Sequence, residues 1–393
     1  MVDLGMSPLC ETFPGAAELD CMEAFYPLRV MVCEHCFLAQ LRMYVSPAEI
    51  FREYAYYSSY SDSWVEHARR YAARMIGALG LGPQSLVIEI ASNDGYLLQH
   101  FVRAGVPVLG IEPARNVARA AAERGVVTLT EFFGATLAQQ LATEGRRADL
   151  LIGNNVLAHV PDLNDFVAGL AEILAPGGLL TMEFPHVQRL LEGNQFDTIY
   201  HEHFSYFSLT TATRVFAAHE LKVIDVEELP THGGSLRVHV RRSADGFTPT
   251  DRYAAVLAGE ESAGMRAMAT YRELGARAEA AKRDMLDFLI TARRTGKRVV
   301  GYGAPGKANT FLNYCGIRTD LVEYTVDRNP YKHGRFTPGT HIPIHPPERI
   351  AATRPDYIWI LPWNLSGEIE RQLAYAREWG CQFVLAIPHL RVF

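Results

Sequence analysis

The chain runs to 393 residues, more than one hydrophobic core usually serves, so two or three domains are expected. Hydrophobic residues make up 48% and charged ones 21%, an ordinary folded composition, and a net charge of −6 leaves no basic footprint for nucleic acid. No apolar run approaches the roughly 20 residues that span a bilayer, and MVDLGMSPLCETFPG lacks the regions of a signal peptide, so no membrane partner and a cytoplasmic location are expected.

Residues 1 to about 66 are rich in turn residues and aromatics. Six cysteines occur in the chain, Cys10, Cys21, Cys33, Cys36, Cys315 and Cys381, which in this setting read as thiols or metal ligands rather than disulfides. SWVEHARRYAARMIGAL then shows a helical period through Trp64, Ala68, Tyr71, Met75 and Leu79. SLVIEI reads as a buried strand, and GYLLQHFVRAG as a helix. Strands VLGIEP, VVTLTEFF, ADLLIGNNVLAHV and GLLTMEFPH come next, separated by helices NVARAAAERG, GATLAQQLATEG and LNDFVAGLAEIL. Such alternation predicts a doubly wound α/β domain with a parallel sheet. LKVIDVEELPT and GSLRVHVRR, around the His232-Gly233-Gly234 turn, predict an antiparallel pair finishing that sheet. Residues 243–295 read as a loop and a long charged helix, after which KRVVGYGAPGKANTFLNYCG, VEYTVDRNP, DYIWILPWN and QFVLAIP start a second α/β unit.

Open parallel sheets bind ligands beyond the carboxyl ends of their strands, where the strand order reverses. In the first unit EIASNDG puts Glu89 on a strand, with Ala91, Ser92, Asn93 and Gly95 in the turn, and Gly95 is expected to open a helix whose N–H groups face a ligand. Glu112, with Pro113 beside it, ends the second strand, where an acid grips ribose hydroxyls. Either a nicotinamide dinucleotide or S-adenosylmethionine suits this layout. A dinucleotide needs a glycine-rich turn for its pyrophosphate, and this turn has one glycine where that fingerprint has three, which favours S-adenosylmethionine. Phe132 and Phe133 stand where adenine neighbours would, or serve the core; Asn154 and Asn155 fall near the methionine part. His159 faces inward from the same strand end, a position a structural histidine also fills.

FDTIYHEHFSY sets Tyr200, His201, Glu202 and His203 together, two histidines around an acid, which suits proton handling better than packing. If helical, Tyr200 and His203 share a face; if extended, Tyr200 pairs with Glu202 and His201 with His203. In the second unit Gly301-x-Gly303-x-x-Gly306 loosely matches a dinucleotide fingerprint, with Asp327 near the next strand end as its acid. The preferred use is different: Lys307 and Asn309 at the helix start, with Lys332, His333 and Arg335 from KHGRFTPGTHIPIHPP, are candidates to hold a diphosphate. A solvated charged loop is the plain alternative for the last three.

EIASNDGYLLQ, GIEPA, NNVLAHVPD, FDTIYHEHFSY and GYGAPGKANT…NYCGI…VDRNP together resemble the sugar C-methyltransferase family, across nearly the whole chain. That resemblance implies three parts: a small zinc-ribbon-like module over 1–65, a class I methyltransferase core over 66–243, and a Rossmann-like substrate domain over 244–393. It implies S-adenosylmethionine as cofactor and a nucleotide-linked 4-keto-deoxysugar, methylated at carbon 3, as the small-molecule substrate. It makes His203 the base, with Glu202 to orient it, and Tyr200 a donor or hydrogen-bonding partner. It adds His159 and one tyrosine of REYAYYSS, Tyr54 or Tyr56, to the active site. The family holds zinc through two CxxC pairs. Here only Cys33 and Cys36 form one, and MVDLGMSPL matches the family's stretch just after the first pair, so half a tetrahedral set is expected. Two other readings stay open, an NAD(P)-dependent oxidoreductase built on residues 298–330 and a non-catalytic scaffold, as does O- or N-methylation of a non-sugar acceptor. Oligomeric state leaves no mark in these motifs.

Overall fold

The computed structural model describes residues 1–51 and 57–393. Three sheets organise it. The N-terminal module contributes strands β1 (Val2–Ser7), β2 (Tyr26–Val32) and β3 (Ala39–Leu41) to a four-stranded antiparallel sheet. Its fourth strand comes from far along the chain.

The central sheet contains β4 (Val87–Ile90), β5 (Val108–Ile111), β6 (Thr128–Leu129), β7 (Ala148–Asn154) and β8 (Leu174–Pro185). The next strand, β9 (Ser205–Tyr206), leaves that sheet and is the missing fourth strand of the N-terminal one, pairing with β3. β10 (Leu221–Leu229) and β11 (Ser235–Arg242) return to finish the central order β10-β11-β8-β7-β4-β5-β6. Only β11 runs against its neighbours. The parallel strands are buried on both faces, so they read as near-continuous apolar runs. This is the doubly wound methyltransferase arrangement that was expected, and its order reverses between β4 and β7.

The C-terminal unit holds β12 (Val299–Tyr302), β13 (Thr325–Val326), β14 (Ile344–His345), β15 (Tyr357–Ile360), β16 (Gln382–Leu385) and β17 (Arg391–Val392), ordered β14-β13-β12-β15-β16-β17. A 27-residue helix, Met268–Arg294, buries Tyr271, Leu274, Ala278, Ala281, Met285 and Leu289 along one stripe. That stripe belongs to an apolar cluster including Leu28 and Val30 of the N-terminal sheet and Phe311 and Trp359 of the C-terminal unit, so the modules share a core. No helix of the described residues is long and apolar enough to cross a membrane.

Two expectations fail in detail. Residues 251–262, read as loop, form a helix, Asp251–Ser262, whose fully buried residue is Glu260. Gly95 does not open a helix: the helix spans Leu98–Arg103, and Gly95 sits in the preceding turn with its N–H spent on the Ser92 carbonyl at 3.1 Å.

Candidate active site

The ends of β4 and β7 carry an unusual density of left-handed backbone: Ala91, Asn93 and Asn155 have φ of 56°, 48° and 55°. Such non-glycine residues are held at a cost and cluster at binding sites. The turn packs tightly because Gly110 on β5 has no side chain; a Cβ there would stand 2.5 Å from Ser92 Oγ.

Around this turn several buried acceptors lack partners among the described residues, Asp94 Oδ1, Asn154 Oδ1 and Asn155 Oδ1, with Ser92 Oγ, and the buried Glu89 carboxyl has Tyr96 as its hydrogen-bonding neighbour. Burial, then the charges of Asp94 and Glu112, push the Glu89 carboxyl well above its usual range. The backbone donors are spent, for Asn93 N–H and Ala114 N–H bind the two Glu112 oxygens at 3.0 and 2.9 Å. Burial raises Glu112 to about 7, and Pro113 beside it is half-buried. A pyrophosphate needs donors and finds few here. A cofactor offering an ammonium group, a sulfonium and ribose hydroxyls meets acceptors without partners, so S-adenosylmethionine fits. The two phenylalanines separate: Phe133 packs edge-on against core Phe166 at 5.4 Å, whereas Phe132 is 49% exposed.

Next to the crevice lies the histidine cluster. Tyr200–His203 is neither helix nor strand but a tight turn, closed by His203 N–H to the Tyr200 carbonyl at 3.0 Å. It brings the Tyr200 and His203 rings to 4.1 Å. The His159 ring meets His203 edge-on at 4.8 Å. His201 turns away, towards the Pro27 carbonyl at 3.3 Å. His203 Nδ1 lies 3.1 Å from the Thr198 carbonyl, which can only accept, so the proton sits on Nδ1. Nε2 then keeps its lone pair and has no partner among the described residues. Burial foremost, with a neighbouring His159 charge adding to it, keeps His203 well below the ordinary histidine range, hence neutral. Burial likewise brings His159 down to about 4 and holds the Tyr200 phenol protonated. Glu202 is buried and accepts the Cys10 thiol at 3.6 Å. Tyr54 and Tyr56 lie outside the described residues.

The C-terminal unit approaches the cluster through Lys307, one of the expected residues, and through Trp363, which was not among them. Lys307 is half-buried, donates to Asn364 Oδ1 at 2.8 Å, lies 4.4 Å over Trp363, and is brought down to about 8 by burial. Trp363 in turn donates to Asp197 Oδ2 at 2.7 Å. Of the other four candidates, Asn309, Lys332 and Arg335 grip the N-terminal segment. Asn309 Nδ2 donates to the Cys10 carbonyl at 2.6 Å, Lys332 pairs with Glu11 at 3.4 Å, and Arg335 donates to the Phe13 carbonyl at 3.0 Å. The glycine turn is filled as well: a Cβ on Gly306 would lie 2.9 Å from Cys10 Sγ and 3.4 Å from Glu11 Oε1. The Glu11 carboxylate takes the Gly306 N–H, the place a phosphate would take. Asp327, the supposed ribose acid, accepts Ala304 N–H at 2.7 Å, and His333 binds the Asp327 carbonyl at 2.7 Å. One residue escaped the sequence reading altogether. His232, on the β10–β11 turn, sits between Asn155 and Lys307, and only its flanking glycines hinted at a special turn.

Cys33 and Cys36 form a knuckle, with Phe37 N–H to the Cys33 carbonyl at 2.9 Å and Phe37 at φ 61°. N–H groups of Cys36 and His35 lower the Cys33 thiol. No third ligand joins them: among the described residues no group of three His, Cys, Asp or Glu side chains could hold a metal. Two thiolates do not fit a structural zinc.

Comparison with known proteins agrees with this organisation. Family models match residues 1–51, described as a zinc binding domain; residues 64–226, a methyltransferase domain; and residues 230–388, a C-methyltransferase C-terminal domain. The last begins before β11, which structurally belongs to the central sheet. The chain is 37% identical over 392 residues to C-methyltransferase NovU of Streptomyces niveus, covering 100% of this chain and 93% of that protein. A ubiquinone biosynthesis O-methyltransferase of Bartonella bacilliformis matches at 30% over 97 residues, 24% of this chain and 38% of that protein. The solved magnesium protoporphyrin IX methyltransferase of Synechocystis PCC 6803 with bound SAM matches at 17% identity and TM-score 0.35, over 46% of this chain and 82% of that one. With the full-length match to NovU and the acceptor-lined crevice between β4 and β7, the chain belongs to the S-adenosylmethionine-dependent C-methyltransferase family.

Proposed function

We propose that this C-methyltransferase adds a methyl group to carbon 3 of a nucleotide-linked 4-keto-deoxysugar through an enolate. The observation carrying the reading is the His203 imidazole, whose Nδ1–H is fixed on the Thr198 carbonyl while Nε2 stays unpartnered beside the crevice. A carbon accepts a methyl cation equivalent only when electron-rich, and a carbon next to a ketone becomes so by losing a proton. His203 Nε2 takes that proton as a neutral base. Tyr200, held protonated and with its ring centroid 4.1 Å from that of His203, donates to a sugar oxygen in this reading. Glu202 is fixed by the Cys10 thiol and shapes the turn that carries the base. Bound S-adenosylmethionine supplies the electrophilic methyl group. Lys307 supports the diphosphate of the substrate. An alcohol or amine acceptor would need no such carbon base, and the filled glycine turn removes the motif on which an oxidoreductase would rest.

The test is product analysis. A nucleoside-diphosphate-linked 4-keto-6-deoxyhexose, incubated with protein and methyl-labelled cofactor, should carry the label at carbon 3 by NMR. Label on oxygen, or none on any 4-keto sugar while the cofactor binds, would sink the proposal.

A further inference from the structure

His232 has no role in the proposed enolate chemistry, yet its placement is costly. It adopts φ 54° and ψ 19°, a left-handed conformation where glycine or asparagine is the comfortable choice. The turn is pressed into shape: Gly233 comes next, and a Cβ there would come within 2.5 Å of the Trp363 ring. The imidazole stands edge-on to Trp64 at 5.2 Å, and Asn155 Nδ2 lies 3.2 Å from its Nε2. An amide nitrogen only donates, so Nε2 accepts and the proton of the neutral ring sits on Nδ1. No hydrogen bond to a described residue engages Nδ1. Asn155 ties His232 to the end of β7, and the His159 ring from the same strand end meets His203, so both imidazoles stand at that end of the sheet; charge on His232 is also felt at His203. Packing alone would be served by a residue that accepts the turn without strain.

We propose that His232, through Nδ1–H, is a catalytic hydrogen-bond donor to the oxyanion formed when His203 deprotonates the carbon beside the substrate's carbonyl; this rests on the proposed enolate route. The C–H electron pair becomes the carbon–carbon double bond, the carbonyl π pair moves to oxygen, and the proton goes to His203 Nε2. The His232 hydrogen stays on its nitrogen. When the carbon attacks the methyl group, the carbon–sulfur pair stays with sulfur and the carbonyl re-forms. Burial brings His232 to about 4, so it donates as a neutral imidazole at neutral pH. A neutral donor matches the oxyanion better than it matches the ground-state ketone, which is what lowers a barrier.

The experiment tracks deuterium entry at carbon 3 of the same 4-keto sugar in deuterated water, with S-adenosylhomocysteine bound so that no methyl transfer intervenes. His232→Gly relieves the left-handed strain and leaves a ring-sized hole. Exchange should fall about 10²–10³-fold, the usual loss for one oxyanion donor, and recover with added imidazole or in His232→Asn, which keeps a donor and tolerates the turn. S-adenosylhomocysteine affinity serves as the control for folding. His232→Gly exchanging within about twofold of wild type, or lost exchange that neither rescue restores, overturns the role of His232. If wild type exchanges and His203→Asn does not, the enolate reading survives that failure. Wild type that neither exchanges carbon 3 nor methylates it overturns both.

Discussion

Lys307 gives the sharpest quantitative expectation. An ordinary lysine holds its proton to about pH 10.4, whereas burial in the cleft brings Lys307 to about 8, against a raising influence from Asp197. If its ammonium holds the substrate diphosphate, kcat/KM must track its protonated fraction in the free enzyme. Between pH 7 and pH 9.5 that fraction falls about 30-fold, while an ordinary lysine would lose about a tenth. The loss should appear in KM with kcat nearly flat, because a bound diphosphate restores the charge and contributes equally to ground and transition states. Lys307→Arg should abolish the alkaline fall; Lys307→Met should start low at pH 7 and stay flat. Initial rates at saturating cofactor and varied sugar would read all three. Unfolding is no rival cause at this residue. Its pKa is depressed in the fold, so between about 8 and the unfolded value the unfolded chain holds more protons and stability rises with pH. Wild type and Lys307→Met falling in parallel would refute the reasoning.

Gly306→Ala should disturb the plug formed by Cys10 and Glu11. Overpacking costs about 1–3 kcal/mol and the stiffer unfolded chain returns about 0.4–1, so a net loss of about 1–2 kcal/mol is expected, read as a lowered melting temperature. A raised one would mean that nothing stands 2.9 Å away. Dialysis against a chelator should leave the melting temperature unchanged, since Cys33 and Cys36 supply half a zinc site. A large drop would show that the knuckle finds its other ligands.

Much of the central domain could be read without coordinates because Val87, Ile88 and Ile90, and Leu150 to Ile152, are buried on both faces and separated by helices of clear period. Cofactor choice came from a count of glycines. The plug was not legible: Asn309 meets Cys10 across 299 residues, and a Gly-x-Gly-x-x-Gly turn has the same letters whether open or filled. Helix Asp251–Ser262 was missed because its deepest residue is Glu260, which no apolar period marks. Gly95 misled because Ala91 and Asn93 also take left-handed conformations, delaying the helix to Leu98. His232 has no local signature beyond the two glycines that follow it; its meaning comes from Asn155, Trp64 and Lys307, which lie on three other elements.

The pairing of β3 with β9 ties Gln40 to Ser205 and Ala39 to Tyr206, two and three residues beyond His203. A chimera that exchanges the first fifty residues for those of a relative would therefore reset the alignment of His203 unless it carried 199–206 with them. The same bond orders events during synthesis: β3 emerges early and waits as an unsatisfied edge until some 160 residues later its partner arrives. Until then the nascent chain has the crevice between β4 and β7 without His203 fixed beside it.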